Sequence, residues 1–158
     1  MTSGSFVHGN HSLGINAFHL EWCPKYRYSF LSGAYVKKIL TESLVETAEK
    51  YKFQILALEI AADHLHIFVS LPPQLSVSFA VQLMKGRSAR AIFKECPSFR
   101  NFYHMGHFWS KGKFFRSISN VSSSTVYKYI AEHKAKELNE TVKSARLEAQ
   151  QMNLLAFC

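Results

Sequence analysis

Two β-prone runs, residues 53–60 and 64–71, are joined only by Ala61-Ala62-Asp63, and Pro72-Pro73 close the second run. A connection that short reverses the chain without crossing a sheet, so the two runs pair as an antiparallel hairpin. That hairpin sets the frame into which the other segments must fit. Within its second run a period of two sends Leu65, Ile67 and Val69 to one face and His64, His66 and Phe68 to the other.

Residues 15–23 alternate in the same way, with Phe18, Leu20 and Trp22 opposed to His19 and Glu21, and Pro24 ends the run. After Gly33, the apolar residues Val36, Leu40, Leu44, Ala48 and Tyr51 recur at helical steps, so a helix separates this first strand from the hairpin. A second helix is expected over residues 75–94, carrying Lys85, Arg87 and Arg90. A loop with Pro97 and Gly106 leads to a fourth strand over 113–119, and Ser122-Ser123-Ser124 supply N-cap candidates for a third helix from Thr125.

Strand, helix, strand, strand, helix, strand is the α+β ferredoxin-like order β-α-β-β-α-β, shared with RNA-recognition motifs. It implies one antiparallel sheet with two helices on one face, here with an additional C-terminal helix. The chain divides into a loose arm over 1–12, rich in Gly, Ser, Asn and His, one domain over 13–135, and a helix-compatible tail over 136–158.

A chain of 158 residues suits one ordinary domain, and 47% hydrophobic residues can supply its core. Lys and Arg number 19 against 11 acidic residues, and that +8 balance favours a polyanionic partner, of which nucleic acid is the commonest. Cys23, Cys96 and Cys158 have no Cys-x-x-Cys spacing, which argues against a disulfide framework or a thiolate zinc site and for a reducing interior. No signal-peptide pattern opens the chain and no apolar run approaches a membrane span, so the expected setting is cytoplasmic.

The chemistry-bearing residues are His64 and His66 on one strand face and, on the third helix, Tyr129 and His133, which helical geometry stacks on one side. Tyr127 is six residues from His133 and falls on another face. Two imidazoles beside a tyrosine and a third imidazole form a plausible metal site next to a nucleophile, a pattern that points to phosphodiester chemistry. His104 and His107 form a second spaced pair, with no partner in the sequence.

Six segments, in order and spacing, carry a family resemblance: Trp22-Cys23-Pro24-Lys25-Tyr26-Arg27, Asp63-His64-Leu65-His66, Met84-Lys85-Gly86-Arg87-Ser88-Ala89-Arg90, Phe108-Trp109-Ser110, Ser119-Asn120-Val121-Ser122 and Tyr129-Ile130-Ala131-Glu132-His133. Together they resemble the HUH (His-hydrophobe-His) transposases with a single catalytic tyrosine, the small transposases of single-stranded insertion sequences and their REP-associated relatives. The resemblance implies that His64, His66 and His133 hold a divalent metal, Mg²⁺ or Mn²⁺. It also implies that Tyr129 attacks the scissile phosphate to give a 5′-phosphotyrosine, and that the protein is a homodimer on single-stranded, hairpin-forming insertion-sequence ends.

Two features depart from the family. His133 stands where a Gln is usual, and Lys111-Gly112-Lys113-Phe114 replace the usual Pro and Tyr after Trp-Ser. Lys25, Tyr26, Arg27, Lys85, Arg87 and Arg90 are the candidate DNA contacts, suited to backbone charge and base stacking. The competing readings are an RNA-recognition-like binding module without catalysis and a domesticated relative acting on chromosomal repeats.

Overall fold

The computed structural model describes residues 7–9, 12–14 and 16–118. Two short strands pair antiparallel: β1 (Val7–Gly9), inside the segment expected as a loose arm, and β2 (Ser12–Gly14), which runs from the end of that segment into the expected domain. They are followed by β3 (Ala17–Trp22), α1 (Ala34–Tyr51), β4 (Gln54–Ile60), β5 (Leu65–Ser70), α2 (Val77–Glu95) and β6 (Phe114–Ile118). The chain divides into units 1–121 and 122–158, and every described residue belongs to the first. The expected third helix with Tyr127, Tyr129 and His133, and the tail over 136–158, lie outside the described residues.

Strands β4, β5, β3 and β6 form one sheet in that order, and every neighbouring pair is antiparallel. The hairpin is present: β4 and β5 pair directly, and the Ala61 N–H donates to the His64 carbonyl at 2.9 Å to close the turn. Each strand-helix-strand unit is split by a third strand, with β5 between β3 and β4 and β3 between β5 and β6. This is the ferredoxin-like arrangement expected from the order of elements.

The core lies between one sheet face and the two helices. Leu20 and Trp22 of β3 and Leu65, Ile67 and Val69 of β5 meet Leu40 and Leu44 of α1 and Met84 and Ile92 of α2. Ser76 caps α2 by accepting a hydrogen bond from the Phe79 N–H at 3.2 Å. Lys52 ends α1 in the left-handed conformation, where its N–H reaches the carbonyls of Ala48 and Glu49. Among the described residues, no helix is long and apolar enough to cross a membrane.

The loop before β6 is tied into this core by side chains of α2. The Trp109 indole N–H donates to Ser88 Oγ at 3.0 Å, and both residues are buried. Ser88→Ala leaves that N–H without its acceptor and is expected to destabilise the protein by about 1–3 kcal/mol in a urea titration. The same loop pairs with the chain beyond β3, where the Lys25 N–H reaches the Phe108 carbonyl at 2.7 Å and the Ser110 N–H reaches the Cys23 carbonyl at 3.0 Å. Three of the six family segments therefore meet at one point of the fold.

Candidate functional site

On the sheet face away from the helices, two rows of side chains run across the strands. Register places Glu59, His66, Glu21 and Phe114 in one row and Ala57, Phe68, His19 and Arg116 in the next. The alternation that buries Leu65, Ile67 and Val69 beneath the helices thus sends His66 to this second face, as the sequence implies. His66 is only 4% exposed, because neighbours cover it on a central strand. His19 stacks on Phe68 at 4.6 Å and on His66 at 5.2 Å between ring centroids.

A hydrogen bond of 3.0 Å joins His19 Nε2 and His66 Nδ1. With His66 as the donor, its Nε2 keeps the lone pair that a metal takes. His64 is oriented from its other side: its Nδ1–H donates to Asp63 Oδ1 at 2.7 Å, which in the neutral ring places the lone pair on Nε2. Asp63 in turn accepts from Arg27, with Nε and Nη2 each 3.1 Å from Oδ2. Burial alone would raise the Asp63 carboxyl, but hydrogen bonds from His64 and Arg27, and their charges, outweigh it and hold the group below its ordinary range.

Carboxylates that orient a ligating histidine typically contribute about 10- to 100-fold to metal affinity. Asp63→Asn is therefore expected to weaken Mn²⁺ binding about tenfold in calorimetric titration while leaving the melting temperature close to that of the parent. An unchanged affinity would show that Asp63 does not orient His64 for a metal.

His64 and His66 lie together, their ring centroids 4.9 Å apart, and Glu21 joins them. One ligand atom from each of the three falls within 4.8 Å of the others, the one such group among the described residues. A carboxylate oxygen with two imidazole nitrogens suits Mn²⁺ or Zn²⁺ and accommodates Mg²⁺ through its oxygen, so these residues fit a divalent cation. Sequence reasoning missed Glu21 and His19. Both stand on the polar side of the alternating first strand, but only cross-strand register brings them to His66.

The candidate DNA contacts separate into three places. Lys25, Lys85 and Arg90 line a cavity of about 730 Å³ between α2 and the loop before β6. Arg87 instead faces α1, where its Nε donates to Thr47 Oγ1 at 2.9 Å. Arg27 is engaged with Asp63, and Tyr26 stays exposed beneath the Lys25 ammonium, 4.9 Å from its ring centroid. Tyr26 and Arg27 both hold positive φ, 66° and 52°, a conformation unusual for side-chain-bearing residues. His107 lines the same cavity as Lys25.

The fold and this face define a class: ferredoxin-like α+β domains that set a His-x-His pair on the sheet face away from their helices. The sequence profile described as "Transposase IS200 like" matches residues 15–133, and the chain belongs to that family of DNA-binding proteins of DNA transposition. It is 30% identical over 120 residues to the ISDra2 transposase TnpA of Deinococcus radiodurans, covering 76% of this chain and 85% of that protein. It is 26% identical over 120 residues to the transposase for insertion sequence element IS200 of Salmonella typhimurium, covering 76% and 77%.

Among solved structures, a candidate transposase from Deinococcus radiodurans superposes with a TM-score of 0.65 at 26% identity, covering 79% of this chain and 95% of that one. A REP-associated tyrosine transposase bound to a REP hairpin shares the fold at a TM-score of 0.51 and 14% identity, covering 77% and 66%.

Proposed function

We propose that this protein cuts and rejoins single-stranded DNA at hairpin-forming insertion-sequence ends, with Tyr129 as nucleophile and His64, His66 and His133 as metal ligands. The observation that carries the reading is the convergence of Glu21, His64 and His66 on one sheet face of a chain from this family. Glu21 is added as an oxygen donor from the neighbouring strand, and His133, which lies outside the described residues, as the donor from the segment of the nucleophile.

The phenol of Tyr129 attacks phosphorus, the bond from phosphorus to the 3′ oxygen breaks, and the products are a 5′-phosphotyrosine and a free 3′-OH. The phosphotyrosine keeps the bond energy, so a second 3′-OH can reverse the step without a nucleotide cofactor. An ordinary tyrosine, with a pKa near about 10, is a weak nucleophile at neutral pH. A divalent cation, Mg²⁺ or Mn²⁺, supplies Lewis-acid polarisation of a phosphate oxygen, worth several kcal/mol of charge stabilisation. Asp63 and His19 hold the two imidazoles in place for it, and the protein works as a homodimer on its DNA.

The test is incubation of the protein with labelled single-stranded DNA from the flanks of its own gene, with Mg²⁺ or Mn²⁺. A labelled band that migrates with the protein on a denaturing gel is the expected result. Its absence with both metals, from protein that binds the strand, would overturn the reading in favour of a binding module.

A further inference from the structure

Directly after β3 the chain makes a tight turn, Pro24-Lys25-Tyr26-Arg27, that the loop before β6 holds in place. The Lys25 N–H donates to the Phe108 carbonyl at 2.7 Å, the Arg27 N–H donates to the Pro24 carbonyl at 3.0 Å, and Pro24 pairs with Trp109 in an isolated bridge. Tyr26 and Arg27 follow one another in left-handed backbone, with φ of 66° and 52°. That conformation is sterically costly for a residue with a Cβ, and two in succession persist only where their surroundings fix them. The Tyr26 ring stays 63% exposed. The Arg27 side chain instead reaches the turn of the β4–β5 hairpin, 36 residues on, with Nε and Nη2 each 3.1 Å from Asp63 Oδ2. We infer that Arg27 is a positioning residue of the metal site, acting through Asp63 on His64, and not a contact to DNA phosphate.

The two Asp63 oxygens are divided between two partners. Oδ1 accepts from His64 Nδ1 at 2.7 Å, and Oδ2 accepts both N–H groups of Arg27. A carboxylate held by two N–H groups of a rigid, planar guanidinium loses its free rotation, and the direction in which Oδ1 meets the imidazole is then fixed. The Asp63 side chain is 31% exposed, so without Arg27 water would compete for Oδ2. The same segment fastens the hairpin turn a second time, where the Leu31 N–H donates to the Ala62 carbonyl at 3.0 Å. Residues 24–31 therefore hold both the backbone and the carboxylate that aim the His64 ring.

As an ion pair the contact adds little to stability, because both side chains remain partly in water. Its effect is on orientation. This role rests on the metal reading above and deepens it, by one residue beyond Asp63. Charge alone gives the opposite sign: a guanidinium near a cation site repels the cation, so its removal would by itself tighten Mn²⁺ binding. A weakening therefore reports lost geometry.

The test is Mn²⁺ titration calorimetry on the full chain without DNA. Arg27→Ala should weaken binding about three- to tenfold, no more than Asp63→Asn does, and should cause no further loss in the Asp63→Asn background. Arg27→Gly, which relieves the steric penalty of left-handed backbone at the same position, should lose affinity to the same extent, since the guanidinium is absent from both. Both variants should melt cooperatively near the parent temperature. In EDTA, anisotropy of a fluorescein-labelled single strand should give Arg27→Ala the parent slope of log affinity against log salt, whereas loss of one phosphate contact would lower that slope by about 0.7.

Parent Mn²⁺ affinity in folded Arg27→Ala and Arg27→Gly proteins overturns the positioning role and leaves the metal site standing. An undiminished loss in the Asp63→Asn background, or a salt slope lowered by about 0.7, does the same. Parent protein that binds no Mn²⁺ overturns the metal reading and this role with it.

Discussion

Tyr129→Phe is expected to eliminate the covalent protein–DNA adduct while DNA affinity stays within about twofold of the parent, because only the phenolic oxygen is removed and aromatic stacking is retained. Tyr127→Phe, on the same segment, should form adduct at the parent level. The contrast matters because the two tyrosines are two residues apart in sequence, which on a helix sets them on different faces. The measurement is the yield of the labelled adduct on a denaturing gel, paired with anisotropy on the same preparations. A dead Tyr127 variant beside an active Tyr129 variant would reassign the nucleophile.

The second large effect concerns the metal. His64→Ala and His66→Ala should each reduce cleavage to background and remove Mn²⁺ binding in titration calorimetry, while both proteins still melt cooperatively. Glu21→Gln should cause a partial loss on the order of tenfold, since an anionic oxygen donor becomes a neutral one. His133→Gln replaces an imidazole nitrogen by an amide oxygen and should shift the preference from Mn²⁺ toward Mg²⁺, the harder ion. Full cleavage by the double variant His64→Ala/His66→Ala in EDTA would remove the metal from the reaction. If Glu21→Gln binds Mn²⁺ as tightly as the parent, Glu21 is a neighbour and not a donor.

The cationic residues show where a linear reading stops. Arg27, Arg87 and Lys85 look alike in sequence, each a basic residue in a segment that resembles a DNA-contacting one. In the structure Arg27 holds Asp63, which holds His64; Arg87 bonds Thr47 of α1; and Lys85 fastens two carbonyls of the loop that closes the cavity. Charge says that a residue seeks a counterpart, but the counterpart comes from another element, 36 residues away for Arg27 and 40 for Arg87. No periodicity within a segment encodes that distance.

What the sequence determined by itself is what local physics controls. Alternation with a period of two sorted Leu65, Ile67 and Val69 from His66 and Phe68, three residues between two β-prone runs made the hairpin, and apolar residues at helical steps placed α1. These patterns repeat over a few residues, so neighbours along the chain are enough to read them. The expected ferredoxin-like order already sets β3 beside β5; only the tertiary structure decided the register between them, and this register brings Glu21 and His19 to His66. The pairing of Cys23-Pro24-Lys25 with Phe108-Trp109-Ser110 and the cavity beside it were decided in the same way. The reason is that register and loop docking are chosen by burying the apolar face of the whole sheet under both helices at once, a condition that no single segment carries.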